Sequence, residues 1–336
     1  MIGRSLCPFG GSWTRLRNNA VMDPHRTVAE LGEFALIDEV VKQTGDGRHV
    51  LIGPGDDAAQ VSTEGGSYLV STDLLIEGRH FRRDWSSANE IGHKAAACNL
   101  SDISAMGGVA NALTVGFAAP GDLPVEWVIE MTKGFVAECN LVGAKLVGGD
   151  VTASDKIVIA VTALGEAPHR PVRRSGAAPG DVVAFAGRLG WAGAGFAALS
   201  RGFRSPKLAV DAHRTPQPPY AAGPQAAAIG ATSMTDVSDG LLADAAHIAL
   251  ASNVAIDFDS TCFAVAEPIA TVGEALGVDP LRFVLTGGDD YALVATFSAQ
   301  TVLPKEWTRI GVVKDGAGVT VDGAPYEGAQ GHEHFR

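Results

Sequence analysis

The sequence lacks the features that mark several classes of protein. No run of apolar residues approaches the roughly 20 needed to cross a bilayer, and the formal net charge of −12 is offset by no basic stripe. We therefore expect neither a membrane span nor a nucleic-acid surface. The four cysteines show no CxxC pairing, so we expect reduced thiols in a cytoplasmic protein, with Cys98 and Cys139 packed in helices. Phosphate substrates stay possible, because metal ions can bridge acidic side chains to anionic ligands.

The motifs of several common enzyme classes are also missing. There is no Gly-x-x-x-x-Gly-Lys-Ser/Thr sequence, which excludes a P-loop enzyme. The glycines between Gly187 and Gly195 miss the dinucleotide-binding spacing and predict a tight strand-to-helix turn instead. No nucleophile–His–Asp pattern is present, and the nine histidines lack zinc spacing. His80 follows Asp73 closely, but a lone histidine is more often a surface or packing residue.

What the chain does contain predicts a folded protein of two domains. Its 336 residues are 46% apolar and include 41 glycines, which is typical of a tightly turned α/β or α+β protein. A segment rich in Pro, Gly and Arg, residues 168–180, is the best boundary. We expect a loose extension over residues 1–26, an N-terminal domain over 27–167 and a C-terminal α/β domain over 168–336.

Two predicted strands end directly before acidic residues. Tyr68 to Ser71 reads as a strand that ends at Thr72-Asp73. Lys145 to Val147 reads as a second strand, which ends at Gly148-Gly149-Asp150. The glycines there would let backbone N–H groups approach a ligand closely.

Two predicted helices carry the other acidic motifs. Ser87 and Glu90 form a capping box that opens a helix through Met106. A second helix is expected to begin near Asp239, with Ser238 or Asp239 as its N-cap, because apolar residues recur at helical spacing after that point.

Acidic residues recur beside Gly, Ser or Thr at the ends of predicted strands and turns. Asp and Gly are ordinary turn residues, so each motif alone predicts only a turn. That all five are only turns is much less probable, although the sequence alone does not show that they meet. Carboxylate oxygens that did converge would suit Mg²⁺. The motifs are Gly55-Asp56-Asp57, Ser71-Thr72-Asp73, Gly148-Gly149-Asp150, Asp236-Val237-Ser238-Asp239 and Gly287-Gly288-Asp289-Asp290.

Asp102 lies on the apolar stripe of its predicted helix. Ile91, Ala95, Cys98 and Ala105 share that stripe at spacings of three and four residues. A carboxylate on a core-facing stripe is costly unless it is paired or binds a cation. A salt bridge to a distant Arg or Lys is the alternative, and we favour a metal ion.

The ordered series of motifs closely resembles the thiamine-monophosphate kinase family, over about residues 27–335. Aminoimidazole-ribonucleotide synthetase and selenophosphate synthetase share only parts of the series. Its members are Gly-Asp-Asp (55–57), Ser-Thr-Asp (71–73), Asn-Leu-Ser-Asp-Ile-Ser-Ala-Met-Gly (99–107), Gly-Gly-Asp (148–150), Arg-Ser-Gly with Pro-Gly-Asp (174–181), Asp-Val-Ser-Asp-Gly (236–240) and Gly-Gly-Asp-Asp-Tyr (287–291).

The resemblance implies a fold, an activity and a set of site residues. The fold would be that of the aminoimidazole-ribonucleotide synthetases, in which the N-terminal mixed sheet forms a β-barrel with its twin in a homodimer. The activity would be ATP-dependent phosphorylation of thiamine monophosphate to thiamine diphosphate, the last step of thiamine diphosphate biosynthesis. The implied ligands of several Mg²⁺ ions are Asp57, Ser71, Thr72, Asp73, Asp102, Asp150, Asp236 and Asp239, of which Asp57, Asp102, Asp150 and Asp239 are the implied catalytic residues. The implied ATP contacts are Gly149, Asp150, Arg174 and Ser238.

Three residues are expected on the side of the thiamine substrate. The resemblance implies that His80 and Asp289 contact the thiamine substrate, although the family usually has Glu where this chain has Asp289. The third residue is His332. The family also often has an aromatic residue in its C-terminal tail, and here His332 would have to provide the stacking group. Both departures concern the phosphate acceptor and leave the nucleotide side unchanged.

The expected chemistry follows from the negative charges of the two reactants. Two unit charges 4 Å apart repel by about 4 kcal/mol at an effective dielectric of 20, so the cations must neutralise two anionic reactants. A phosphate monoester, with a second pKa of about 6, is largely ionised at neutral pH, so direct in-line transfer needs no general base. There are two alternatives. The chain could be another ATP-using synthetase of the same superfamily, or a nucleotide- or thiamine-binding regulator without turnover.

Overall fold

The computed structural model describes residues 26–45, 47–52 and 60–332. Nearly all of the predicted extension lies outside these ranges, as do Asp57 and the residues after His332. Within them the chain forms two separate mixed β-sheets, each covered by helices, and a short two-stranded ribbon. This is the two-domain α/β (α+β) fold that the sequence predicts.

The helices alternate with the strands along most of the chain. In chain order they are α1 (Val28–Leu31), α2 (Glu33–Val41), α3 (Ala88–Ala105), α4 (Val125–Val142), α5 (Trp191–Ser200), α6 (Lys207–Arg214), α7 (Ala222–Ala228), α8 (Leu241–Ser252), α9 (Glu267–Leu276) and α10 (Pro280–Thr286). In the part of the chain that is described, no helix combines the length and the apolar character needed to span a membrane.

The strands divide between the two halves of the chain. In chain order they are β1 (Val50–Ile52), β2 (Gln60–Val61), β3 (Leu69–Ile76), β4 (Val109–Ala119), β5 (Lys145–Ala153), β6 (Val158–Glu166), β7 (Val182–Ala186), β8 (Ala231–Val237), β9 (Ala255–Phe258), β10 (Ala292–Phe297), β11 (Trp307–Lys314), β12 (Gly318–Val321) and β13 (Ala324–Pro325).

The N-terminal sheet has four strands in the order β3-β6-β4-β5. Only β4 and β5 pair in parallel. Helices α3 and α4 cover one face, and the buried alternate residues of β6 form a core with them. The sheet is open at both edges among the described residues, so the predicted two-chain barrel is not confirmed and stays a prediction.

The C-terminal sheet has seven strands in the order β13-β12-β9-β11-β7-β10-β8. Every residue of β10 is buried, because α8 and α10 pack on one face of the sheet and α7 on the other. A smaller core joins α5, α6 and α9 beside the sheet.

The capping box at the start of α3 is confirmed. The hydroxyl of Ser87 accepts from the N–H of Glu90, and the Glu90 carboxylate accepts from the N–H of Ser87. The predicted end at Met106 is also confirmed, since Met106 is the C-cap. Cys98 and Cys139 are buried in α3 and α4 as expected.

Two predicted strand ends are wrong. The strand β3 continues past Asp73 to Ile76, because every residue from Leu69 onward pairs with β6. The strand β5 continues past Asp150 to Ala153, because its second half pairs in parallel with β4. Hydrogen bonding to a neighbouring strand thus outweighs the polar and glycine-rich sequence, and both aspartates lie within strands.

Candidate active site

A cavity of about 1310 Å³ opens where β3 and α3 face the C-terminal half of the chain. Its lining comes from both halves, and it includes most of the predicted site residues. These are Thr72, Asp73, His80, Asp102, Arg174, Asp236, Ser238, Asp239, Asp289 and His332. The fold therefore brings these residues, which lie far apart in the sequence, to the wall of one cavity.

Of the predicted residues that the structure describes, three do not line the cavity. The Ser71 hydroxyl donates a hydrogen bond to Asp102, which does line the cavity. Gly149 and Asp150 lie on β5, at the opposite edge of the four-stranded sheet from β3. Three strand spacings of about 4.8 Å separate those edges by roughly 14 Å. Within one chain Asp150 therefore lies apart from Asp73, Asp102, Asp236 and Asp239, which we call the acidic cluster.

The Asn-Leu-Ser-Asp motif of helix α3, residues 99–102, contacts acidic residues from both halves of the chain. The side-chain oxygen of Asn99 accepts from the N–H of Asp73 on β3 at 3.1 Å. Two residues later the Ser101 hydroxyl donates to Oδ2 of Asp236 on β8 at 3.0 Å. The motif therefore fixes one aspartate of each sheet relative to the same helix.

Asp102 is held by a hydroxyl and not by a salt bridge. The Ser71 hydroxyl donates to its Oδ2 at 2.5 Å, and no described cationic side chain lies within 4.0 Å of its carboxylate. Burial, followed by the charges of Asp236 and Asp73, raises the pKa of Asp102 to about 7 against the opposing effects of Ser71 and Arg174. The carboxylate is thus short of positive charge.

The carboxylate of Asp236 also lacks a neighbouring positive charge sufficient to offset its burial. Burial and then the charge of Asp244 raise its pKa to about 7, although the Ser101 hydrogen bond and Arg174 act in the other direction. Two neighbouring carboxyls with raised pKa values fit a site that receives a cation. In the described residues no three His, Cys, Asp or Glu side chains enclose a metal ion by themselves. Mg²⁺ ordinarily uses one or two carboxylates and completes its shell with water and phosphate, so the donors present fit Mg²⁺.

The loop before α8 differs from its prediction. The helix begins at Leu241 with Gly240 as N-cap, and neither Ser238 nor Asp239 caps it. The buried Asp244 takes over that role, because its carboxylate accepts from the N–H groups of Asp239 and Gly240 at 3.0 Å each. Ser238 and Asp239 are left at the cavity wall.

We expect Gly240→Ala to disturb this loop. Gly240 has φ +132°, and a Cβ there would lie 2.7 Å from the carbonyl oxygen of Thr286. The clash and the strained backbone should lower the free energy of unfolding by roughly 2 kcal/mol and displace Asp239, which would reduce turnover. Urea unfolding measures the first effect. Gly230→Ala is the matched control, since Gly230 has φ +85° but open space around it; an equal loss in both variants would contradict the role of the clash.

The Gly-Gly-Asp-Asp-Tyr loop is fastened to the same region. The N–H of Asp289 donates to the carbonyl of Ser238 at 2.8 Å, and that of Tyr291 to the carbonyl of Val237 at 2.9 Å. Asp289 itself has a positive φ of 66°. The neighbouring Asp290 points away from the cavity and accepts from the N–H groups at the start of α5, so it is a helix-capping residue.

Two residues that the sequence prediction missed contact Asp289. Lys94 on α3 forms an ion pair with its Oδ2 at 2.7 Å, and the Nδ1 atom of His213 on α6 lies 3.7 Å from the same oxygen. Burial raises the pKa of Asp289, but Lys94 and His213 outweigh it and the pKa is lowered. Lys94 lies three residues after Ile91 on the apolar stripe of α3, the same signal that identified Asp102.

The remaining predicted residues have defined anchors. Nδ1 of His80 accepts from the N–H of Ile76 at 3.0 Å. The N–H of His332 donates to the carbonyl of Asp239 at 3.0 Å, and Nε of Arg174 donates to the Thr235 hydroxyl at 3.3 Å. The geometry therefore brings a tail residue and an arginine to the acidic cluster.

Without added metal, we expect the protein to lose stability as the pH rises. Burial is the main cause that raises the pKa values of four carboxyls, those of Asp102, Asp236, Asp244 and Asp290, to about 7. The folded protein then holds more protons than the unfolded chain between pH 4 and 7, so the free energy of unfolding falls as the pH rises through that window. Thermal unfolding at pH 5 and pH 8 measures this.

Magnesium should oppose that loss at pH 8 more than at pH 5. At pH 8 Asp102 and Asp236 have lost their protons and the ion can neutralise their charge, whereas at pH 5 it must displace the protons that they still carry. A stabilisation by magnesium that is equal at both pH values would contradict the assignment of these carboxyls.

The fold and the site together match one class of protein. Residues 55–167 match the family AIR synthase related protein, N-terminal domain, and residues 178–323 match its C-terminal domain. The chain therefore belongs to the AIR synthase related proteins.

Within that class the chain belongs to the thiamine-monophosphate kinase family. It is 45% identical over 312 residues to the thiamine-monophosphate kinase of Mycobacterium tuberculosis, with 92% of this chain and 93% of that protein covered. The thiamine-monophosphate kinase of Stenotrophomonas maltophilia K279a superposes with a TM-score of 0.77 at 33% identity, covering 87% of this chain and 97% of that one. The structure of AaThiL complexed with AMPPCP and TMP also gives 0.77, at 34% identity over 91% and 98%.

Proposed function

We propose that the chain transfers the γ-phosphate of ATP to thiamine monophosphate and so forms thiamine diphosphate. The observation that carries the proposal is the cavity in which aspartates of both sheets converge on α3. Membership of the thiamine-monophosphate kinase family supports it. The chain would thereby be a phosphotransferase with a phosphate group as acceptor.

The nucleotide side uses the acidic cluster. Asp73, Asp102, Asp236 and Asp239 would hold Mg²⁺ with Ser71 and Thr72 beside them, and Asp57, which the structure does not describe, would complete the set. When bound, the ions neutralise the phosphates and align donor with acceptor. Ser238 and Arg174 would contact ATP from the C-terminal half.

The protein's own part in the transfer is to hold these oxygens in place. The hydroxyls of Ser71 and Ser101 orient Asp102 and Asp236 before any ligand binds, which limits reorganisation during the reaction. Arg174 adds positive charge at the same wall. No general base is required, because a phosphate monoester is largely ionised at neutral pH.

The acceptor side would lie toward Asp289. His80, Asp289 and His332 all line the cavity, and we propose that they contact the thiamine substrate. Lys94 holds Asp289 in its place despite the side chain being one methylene shorter than the glutamate usual in the family. The backbone bond from His332 to Asp239 would keep its ring near the acceptor.

A homodimer would use the open face of the four-stranded sheet. Val70 and Leu74 on that face are 62% and 51% exposed, which is unusual for two apolar residues on one strand surface. A second copy packed there would cover β5 and bring new neighbours to Gly149 and Asp150. We expect Val70→Arg to yield monomers in sedimentation velocity, whereas Val302→Arg, at an exposed position in the other half, should leave the association state unchanged. Equal behaviour of both variants would contradict this interface.

Two further assignments accompany the proposal. Residues 27–167 would form the nucleotide-binding and dimerisation domain, and residues 168–336 the domain that covers the cavity. Limited proteolysis should cut between them, in residues 168–180. The chain would act in the cytoplasm, which the burial of Cys98 and Cys139 as free thiols supports.

The proposal is tested by giving the purified protein ATP, Mg²⁺ and one phosphate acceptor at a time. Thiamine diphosphate should form from thiamine monophosphate, and neither thiamine nor aminoimidazole-pathway substrates should react. Asp239→Asn should abolish the product. If an aminoimidazole substrate is consumed instead, the chain is a synthetase. If ATP and thiamine monophosphate bind without turnover, it is a regulator.

A further inference from the structure

The charged side chains of the cavity divide by depth. The described residues that line it include five aspartates and six lysines or arginines. Each of these aspartates is buried or half-buried, whereas four of the arginines are exposed. The negative charge therefore lies deeper in the cavity, and positive charge faces the solvent at its entrance. We call the four exposed residues the arginine rim: Arg79, Arg82, Arg201 and Arg282.

The rim opposes the charge of the rest of the molecule. The chain carries 26 lysines and arginines against 38 aspartates and glutamates, a net charge of −12. Among the described lining residues the cations outnumber the carboxylates, so the negative excess belongs to the rest of the chain. Without the rim, the negative potential of the protein would repel an anion that approaches the cavity.

Helix electrostatics explains only part of the rim. Arg201 is the C-cap of α5, where a positive charge is favourable because the C-terminal end of a helix is negative. Arg282 lies in the first turn of α10, where the partial charge of the helix is positive and a cation is unfavourable. The stability of α10 therefore does not account for an arginine at this position.

Two members of the rim carry charges that the protein does not neutralise. The guanidinium of Arg82 donates to both carboxylate oxygens of Asp84, at 2.9 and 2.8 Å. In contrast, none of the ion pairs between described residues includes Arg201 or Arg282. The field of these two guanidinium groups therefore extends into the solvent, and the test concentrates on them.

We propose that the arginine rim steers phosphate-bearing anions into the cavity, with Arg201 and Arg282 raising the rate at which they arrive. This inference rests on the proposed function, because it takes the steered anions to be the reactants of that transfer. A cleft lined by charge of one sign raises the local concentration of the opposite ion and speeds its association by roughly 10- to 1000-fold. Steering acts before contact, so the rim does not need to touch the bound ligand.

Stopped-flow binding of mant-ATP, a fluorescent ATP analogue, in the presence of Mg²⁺ measures this arrival. Arg201→Gln/Arg282→Gln should lower the association rate constant about fivefold at an ionic strength of about 0.01 M, where charges act over roughly 30 Å. At about 0.1 M the Debye length is roughly 10 Å, so the difference from the wild type should shrink. The dissociation rate constant should stay within about twofold of the wild-type value at both ionic strengths.

Arg170→Gln/Arg309→Gln is the matched control, because it removes two exposed arginines that lie outside the cavity. Both double variants have the same net charge, so a difference between them reports where the charges lie. The control should associate at nearly the wild-type rate. Equal slowing in both double variants would overturn the inference. A loss of affinity confined to the dissociation rate constant would also overturn it, because Arg201 and Arg282 would then be ligand contacts.

The acceptor provides a second arm with a different charge. Thiamine monophosphate carries less net negative charge than the magnesium complex of ATP, because its thiazolium is a cation. Its association can be followed through the fluorescence of Trp85 at the cavity wall, and Arg201→Gln/Arg282→Gln should slow it only about twofold at low ionic strength. An acceptor slowed as strongly as mant-ATP would overturn steering, which scales with the charge of the ligand.

Quenching of Trp85 fluorescence tests the rim without either reactant. Iodide is an anion and acrylamide is neutral, so the ratio of their quenching constants reports the local excess of anions. Subtracting the signal of a Trp85→Phe protein isolates Trp85 from the other tryptophans. Arg201→Gln/Arg282→Gln should lower the ratio about twofold, and the control should leave it unchanged.

The quenching ratio separates this inference from the proposed function. If the wild type forms no thiamine diphosphate, the proposed function fails, whatever the ratio is. The ratio still decides whether the rim attracts anions, and an equal ratio in the wild type and in Arg201→Gln/Arg282→Gln would overturn the inference.

Discussion

Asp102→Asn is expected to reduce thiamine diphosphate formation roughly a thousandfold, as the loss of a principal electrostatic group does in other enzymes, while stabilising the metal-free protein at pH 8. The side-chain amide keeps an oxygen for the Ser71 hydroxyl but removes the negative charge that magnesium would neutralise. Burial, followed by the charges of Asp236 and Asp73, raises the pKa of Asp102 to about 7, and the same change removes both the cost of burying the charge and this repulsion. Activity and stability should therefore move in opposite directions.

The size of the stabilisation follows from the raised pKa. Ionising this carboxyl at pH 8 opposes folding, and we expect its removal to add on the order of 1–2 kcal/mol to the free energy of unfolding. At pH 5 both proteins are largely neutral at this position, so the gain should shrink. Kinetic assays and urea titrations at the two pH values measure these effects.

Asp315→Asn is the control for this prediction, because Asp315 is an exposed aspartate in a turn outside the cavity. It should change neither activity nor stability. An Asp102→Asn protein that is destabilised at pH 8, or that keeps more than a tenth of wild-type turnover, would contradict a cation-binding role. It would favour a purely structural carboxylate.

Lys94→Met is expected to destabilise the protein by about 2 kcal/mol and to weaken acceptor binding. Lys94 is 5% exposed, and its loss leaves Asp289 beside α3 without its cation. Removing one partner of a fully buried pair costs about 3–5 kcal/mol. The Asp289 side chain is 37% exposed, so water can solvate part of its charge and the expected cost is smaller.

A double-mutant cycle isolates the pair. In the Lys94→Met background, Asp289→Asn should restore part of the lost stability, because no unpaired charge then remains. Lys314→Met is the matched control; its ion pair with Asp257 involves a side chain that is 53% exposed, and surface pairs contribute about 1 kcal/mol or less. Additive effects of the Lys94 and Asp289 substitutions would show that the two charges do not depend on each other.

The sequence predicts the local features of the fold better than its long-range ones. The capping box of α3 depends on residues three apart, and the structure confirms it. The ends of β3 and β5 depend on pairing with β6 and β4, which residues near Asp73 and Asp150 do not encode. Glycine and aspartate in an otherwise apolar run indicate a strand end only when no neighbouring strand continues the hydrogen bonds.

In the candidate site, too, the sequence predicts individual residues better than the contacts between distant ones. Asp102 was identified because a carboxylate on an apolar helical stripe requires a partner. Lys94 occupies the same stripe and His213 lies three residues after Val210 on the apolar face of α6, so the same argument applied to Lys and His would have found both. Their meeting at Asp289 could not be predicted, because the three residues lie far apart along the chain and only the packing of both halves brings them together.

The cavity would pass a phosphate straight from ATP to the acceptor's own phosphate, and a single-turnover experiment with γ-³²P-labelled ATP distinguishes this route from one through a phosphorylated protein. Excess protein is mixed with labelled ATP, Mg²⁺ and thiamine monophosphate, quenched within one turnover and separated into protein and small molecules. Direct transfer predicts label in thiamine diphosphate and none on the protein. Label trapped on the protein, or released only as inorganic phosphate, would contradict direct transfer.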